Sequence, residues 1–366
     1  MDQNKQLQAA AVTNAMADYI VVGAGISGCT VAGQLAAKGH SVQLIDKARG
    51  TGGRLSSKRL VTDDIQASYD LGAQKFEISN DIFRSYVEAR DDLVVEIAER
   101  DATTNKPGTV QVAYADSRNS LLARAALGQA KTLFGRRVTS ASFDGSHWLL
   151  NIESKDGVAQ VQGKHLVLAA PPKQAATVLG TSHALFKELS SVEHEAQWVA
   201  MFALDSTSKS MRDQSSPSLA SLFGEAQSSE LKTRIAKSRI LEAVALDNLK
   251  QGRETGAGCH MILVHATHAW TSAHLDDDKS AIEQTLLSEL STLLRLEEAD
   301  LTASLLSSHV HRWLYARPLK GYALPGQYIS KDDENLLICG DYFTVDSEYG
   351  VESAFLSANA LVGSLP

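Results

Sequence analysis

Three cysteines in 366 residues, Cys29, Cys259 and Cys339, are too few and too scattered for a disulfide framework or a thiolate zinc cluster. Such sparse use fits a reducing compartment, so a cytoplasmic location is expected. Basic blocks are also missing. The 35 Lys and Arg are outnumbered by 43 Asp and Glu, and a net charge of −8 without a Lys/Arg run argues against a general nucleic-acid binder. No apolar run is long enough to span a membrane. The first residues, MDQNKQLQAAAVTNAMA, hold one basic residue, Lys5, and Thr13 and Asn14 break their apolar part, so neither a secretory nor a transmembrane pattern forms. Residues 1–17 read as a frayed tail or an appended helical turn. Internal repeats and low-complexity linkers are absent as well. What remains, 44% hydrophobic and 21% charged, is an ordinary globular composition, long enough for one large or two common domains. Small molecules are the expected partners.

From Asp18 the pattern sharpens. DYIVVGAGISG is a short β-branched run ending in glycines, as a buried parallel strand does, and Ile26, Cys29, Ala32 and Leu35 then recur at helical spacing. SVQLID reads as a second strand closing on Asp46, and RGTGGRLSS as a glycine-rich turn. A helix is expected near 118–130, followed by three strands around GRRVTSASF, HWLLNIES and VAQVQGKHLVLAA, the last halted by Pro171 and Pro172. WVAMFALD, RILEAVALD and HMILVHAT read as strands, and SAIEQTLLSELSTLLRL as an amphipathic helix. LLICGDYF is a late apolar strand, before a closing helical stripe of Val351, Ala354, Phe355, Ala358, Leu361 and Val362.

Gly23, Gly25 and Gly28 stand in G-x-G-x-x-G spacing between a predicted strand and a predicted helix, and Asp46 ends the next strand. Gly23 permits the tight turn, Gly25 lets backbone approach a pyrophosphate, and Gly28 lets helix and strand pack closely. The helix start offers free N–H groups to the anion. Asp46 can accept ribose hydroxyls and would repel a 2′-phosphate. These features point to a dinucleotide and leave NAD and FAD open.

The following turn, DKARGTGGR, places Gly52, Gly53 and Arg54 beyond Asp46, where a guanidinium adds two directed donors for a diphosphate. This resembles the extended fingerprint of FAD-binding flavoproteins of the amine oxidase and glutathione reductase type. The resemblance implies that Arg54 contacts the diphosphate or ribityl chain and that Arg49 faces solvent. In ICGDYF it implies that Gly340 and Asp341 hold the ribityl chain. It also implies that the helix beginning near Val351, Glu352 and Ala354 points its amino terminus at the flavin, where a helix dipole favours negative charge. Val138 falls where such proteins clamp adenine by backbone contacts, while Arg136 and Arg137 read as exposed edge charges. Further implied FAD contacts are Ala24, Ile26, Ser27, Lys47, Leu55, Gly72, Ala73 and Gln74.

With GTGGRLSSKR, DLGAQKF at 70–76, HATHAW at 265–270, HRWLYARP at 311–318 and ICGDYF, the chain resembles the bacterial renalase-like branch of flavin-dependent oxidases over nearly its whole length from residue 18. This implies an α/β fold: a Rossmann-like FAD-binding domain drawn from 18–75, 118–180 and 331–366, with an inserted α+β substrate domain from 76–117 and 181–330, in an amine oxidase-like two-domain architecture. It also implies noncovalent FAD, hydride taken from dihydropyridine isomers of NAD(P)H, and reoxidation by dioxygen or another acceptor. Lys75 stands where the family has an aromatic residue, and TVDSEYG puts Asp346, Ser347 and Glu348 in place of glycines, which alters the charges a pocket accepts. Cys339 lies inside the last strand, so no flavin thioether is expected.

Trp313 and Tyr315 alternate in a strand and share a face, either as an aromatic wall at the flavin or as core packing. With Gln74 and Lys75 they are the substrate-facing candidates, in a positioning role, and no catalytic base is assigned. Arg312 is expected to point the other way. His260, His265, His268 and His274 read as neutral packing or surface residues rather than metal ligands, and Asp276, Asp277 and Asp278 as a solvated helix start. An amine oxidase or desaturase acting on another donor, and a non-catalytic FAD-binding protein, are the alternatives.

Overall fold

The computed structural model describes residues 16–62, 65–99, 108–208, 223, 229–253, 258–343 and 350–366; most of the expected tail, and Asp346, Ser347 and Glu348, lie outside them. Strand β1 (Ala17–Val22) leads through helix α1 (Ile26–Ala37) to β2 (Val42–Asp46), and the two strands pair in parallel with Tyr19 opposite Val42 and Val22 opposite Ile45. On the other side of β1 run the parallel strands Gly157–Leu168 and Leu336–Ile338, while Lys131–Phe134 extends the sheet beyond β2. Strands Arg137–Phe143 and Trp148–Ser154 form the expected antiparallel meander into Gly157–Leu168.

The unbroken apolar run of β1 is explained by burial on both faces. Val21 packs with α1 and the last helix, Val351–Gly363, whereas Ile20 and Val22 pack with helices Pro172–Leu179 and Phe186–Ser191. A parallel Rossmann-like layer therefore draws on both ends of the chain.

The second sheet is antiparallel and four-stranded, in the order Leu241–Leu246, Cys259–Ala266, His194–Asp205, Leu305–Pro318. One face, with Trp198, Phe202, Ile262 and Val264, is covered by helix Lys279–Leu294 through Ile282, Leu286 and Leu290. Asp278 caps that helix, its Oδ1 accepting from Ser280 N at 2.8 Å, so the acidic run does mark a helix start. The opposite face, with Val199, Met201, Met261 and Leu263, lies under Ala67 and Tyr69 of the hairpin Ser57–Val61/Gln66–Asp70 and under Leu71 just after it.

Segment 76–117 forms a three-stranded sheet with helix Asp81–Glu88. It sends Phe76, Ile78, Phe83 and Val87 into the same core as α1 and the last helix, and Phe355 meets Phe83 and Tyr86 at 5.3 and 4.6 Å between ring centroids. Among the described residues no helix is long and apolar enough to cross a membrane.

Candidate functional site

The fingerprint glycines divide as their mechanical roles require. Gly23 has φ +110°, and a Cβ there would meet the Ala169 carbonyl at 2.6 Å; one on Gly28 would lie 1.9 Å from the Gly23 carbonyl. A Cβ on Gly25 meets nothing within 4 Å. Packing thus explains Gly23 and Gly28 but leaves Gly25 facing open space at the start of α1. No side chain caps that helix, and its first turn holds no acidic residue, so its amino terminus suits an anion. Asp46 is held beside this turn by Ala24 N and Ala48 N, each donating at 2.6 Å. Gly135 N donates to Ala48 O and Arg136 N to Asp46 O, which brings the segment before Val138 alongside; Lys47 is exposed.

The second glycine turn docks on the first: Gly52 N donates to Ala24 O at 2.8 Å, and Gly52 bridges Gly25. This places Arg54 against the other end of the chain, in a bidentate pair with Asp341 at 2.6 Å for both bonds. Asp341 is 1% exposed and Arg54 32%, so the pair is reached by solvent from the Arg54 side. Leu55 is buried in the core. Arg54 O accepts from Ala73 N, and Gly72 leaves no room beside it, since a Cβ would lie 1.7 Å from that oxygen.

The DLGAQ turn beyond is anchored by groups that motif reasoning missed. Asp70, fully buried, accepts from Ser57 Oγ at 2.6 Å and Asn119 N at 3.0 Å, and pairs with Lys250 and Arg253. Asp247 pairs with the same two cations. Asn119 Nδ2 donates to Ala73 O and Gln74 O. Two carboxylates and two cations are therefore closed into one buried cluster joining the turn to residues 247–253. Nothing in the spacing of lone charges more than a hundred residues apart signals such a cluster.

Trp313 Nε1 donates to Leu71 O at 3.1 Å, so the strand Leu305–Pro318 faces the DLGAQ turn there. His309, His311 and Trp313 form a row along it, and Tyr315 meets the His194 ring edge-on at 5.5 Å. His194, not singled out from sequence, and His265, read there as a packing or surface residue, belong to the same region: Val199 lies between His265 and His311 in the sheet. Burial, then the charge of Arg54, pulls His194 down to about 4; burial, then Lys250, pulls His265 down to about 4; burial, then His309, does the same for His311. Unfolded imidazoles titrate near ~6.5. Between those values the unfolded chain binds protons that the native state does not, so stability falls as pH drops from about 6.5 toward 4. Urea midpoints measured across this window are expected to decline steadily; a flat profile would show that the rings are not held neutral.

Several expected site residues are placed elsewhere. Lys75 pairs with Glu96 and lies 5.4 Å from the Tyr114 ring centroid, on an exposed edge, so its charge is already compensated. The Glu352 carboxylate accepts from Ser79 N and Asn80 N at 2.8 Å each, tying the last helix to the loop before Asp81–Glu88. Ala354 N is committed to Gly350 O within that helix and cannot donate to a cofactor, which leaves the helix start at Val351. Gly340 N donates to Ser357 Oγ. Gln74 is engaged with Asp70 O and Lys250. Arg312 points away as expected, over Trp198 and toward Asp276. His274 pairs with Asp277, and among the described residues no group of three His, Cys, Asp or Glu is arranged to hold a metal.

Residues 21–89 match the family model of the NAD(P)-binding Rossmann-like domain. Among solved structures, a candidate protoporphyrinogen oxidase from Exiguobacterium sp. 255-15 superposes with a TM-score of 0.64 at 12% identity, covering 96% of this chain and 99% of that one. An oxidoreductase from Methanosarcina mazei does so with a TM-score of 0.60 at 13% identity, over 94% of this chain and 100% of its own. At such identities the likeness is one of fold: a parallel dinucleotide-binding layer joined to an antiparallel sheet.

Proposed function

We propose that the chain is an FAD-dependent oxidoreductase that takes hydride from a small organic donor, with dihydronicotinamide isomers of NAD(P)H favoured over amines. The observation that carries the FAD reading is the docking of the second glycine turn on the first, which brings Arg54 to Asp341 beside the open flank of Gly25. In this reading α1 and Arg54 hold the diphosphate, Asp46 the adenosine ribose, and Asp341 the ribityl chain. Bound FAD would supply the hydride acceptor and pass its electrons to dioxygen or another acceptor. The chain's own residues bind, orient and exclude water. Trp313 and Tyr315 present aromatic surface for a planar donor, and the buried Asp70 cluster fixes the turn opposite them.

The test is anaerobic mixing of the FAD-loaded protein with the 2- and 6-dihydro isomers of NAD(P)H, with ordinary NADH and with a panel of amines. Bleaching of the yellow colour by the isomers alone is expected. Bleaching by an amine would transfer the site to the amine oxidase class, and bleaching by nothing would leave a binding protein without turnover.

A further inference from the structure

The hydrogen atoms around His265 can be assigned from its neighbours. Gln197 Nε2 donates to Glu242 Oε2 at 2.8 Å and to Ala266 O at 3.0 Å. Turning that amide over would set its oxygen against two acceptors, so the orientation is fixed. Gln197 Oε1 therefore faces His265 Nδ1, 3.4 Å away. An oxygen that only accepts requires the hydrogen on Nδ1, which leaves Nε2 a bare lone pair. Nε2 is shielded from solvent and, among the described residues, has no hydrogen-bond partner. Lys250, whose charge acts on the ring, cannot supply one: its three N–H groups are committed to Asp70 at 3.3 Å, Asp247 at 2.6 Å and Gln74 at 2.9 Å. A buried acceptor left this way costs free energy unless a ligand completes it.

Its place in the sheet is beside the DLGAQ turn. His265 lies opposite Val199 on one side and Ala243 on the other, and Ala243 is exposed. Gln197 lies opposite Trp313, whose indole reaches the DLGAQ turn. We propose that His265 Nε2 accepts a hydrogen bond from the substrate, and that the primary carboxamide of a dihydronicotinamide supplies the N–H. This rests on the dihydronicotinamide reading above. A carboxylate in place of the carboxamide has no hydrogen to give, and an ammonium would carry an unpaired charge into a buried site.

The experiment uses NAD⁺ and nicotinic acid adenine dinucleotide as non-reducible probes of the FAD-loaded protein. Dissociation constants are measured by calorimetry, and the His265 ring is followed by ¹⁵N NMR. Wild type is expected to prefer the carboxamide by about 10- to 100-fold, with the Nε2 resonance moving on addition of NAD⁺ only. His265→Phe should bring the two probes to near parity with FAD content unchanged, and His265→Gln, which restores an acceptor oxygen, should recover part of the preference. An Nε2 resonance indifferent to NAD⁺, or a preference that survives in His265→Phe, overturns the assignment. Bleaching by amines alone refutes the dihydronicotinamide reading instead, so the two failures are distinct.

Discussion

Asp70→Ala is expected to lower unfolding stability by about 3–5 kcal/mol, the cost of removing one partner from a buried ionic group. Asp70 and Asp247 are both fully buried and together balance Lys250 and Arg253. Without Asp70, two buried cations share one carboxylate, and Ser57 Oγ and Asn119 N lose their acceptor. The DLGAQ turn loosens with them, because Asn119 holds the Ala73 and Gln74 carbonyls. Asp70→Asn keeps the shape and one oxygen acceptor but not the charge, so it should fall between wild type and alanine. Urea unfolding followed by circular dichroism measures both. A loss below about 1 kcal/mol for the alanine variant, the range of an exposed pair, would show that the cluster is not closed to water.

Gly28→Val is expected to abolish FAD binding. The first added carbon would sit 1.9 Å from the Gly23 carbonyl and 3.1 Å from the Ala169 side chain, so α1 must move off β1 and Ala169. That displacement carries away the N–H groups meant for the diphosphate. Overpacking of this kind costs roughly 1–3 kcal/mol when neighbours can yield, and here the nearest neighbour is backbone. The measurement is FAD retained through purification, alongside the urea midpoint: loss of both is expected, and a yellow, fully stable Gly28→Val protein would contradict the packing described.

The parts of this molecule legible in its sequence are those where one physical constraint dictates residue type locally. Gly23 needs a positive φ, Gly28 needs a missing side chain, and the runs ending at Val22, Asp46 and Leu168 are apolar because both faces of the parallel sheet are covered. The antiparallel strands His194–Asp205 and Cys259–Ala266 were readable for the same reason. The hairpin 57–70 and the sheet of 76–117 were not, because strands Ser57–Val61 and Phe76–Ile78 are short and their partners are set by packing. In the site, Arg54 and Asp341 could be named from their turns, although their mutual pairing could not. The partners of Lys75 and of the Glu352 side chain were not legible, because a charged side chain's direction depends on which opposite charge or free donor lies nearest in space: Glu96 for the one, the Ser79 and Asn80 backbone N–H groups for the other. His265 was visible in HATHAW, but its contact with the Gln197 amide was not, since no linear pattern encodes it.

Gly25 offers the most direct test, since its backbone, with φ −71° and ψ 179°, accepts alanine and a Cβ there touches no protein atom. The apoproteins of wild type and Gly25→Ala are titrated with FAD, with flavin fluorescence as the readout and the urea midpoint as a control for folding. One FAD per wild-type chain is predicted, with affinity at least about tenfold weaker in Gly25→Ala at unchanged stability, because the added methyl occupies the approach of the diphosphate. A wild-type chain that binds no FAD, or a Gly25→Ala protein that binds it equally well, would contradict the site.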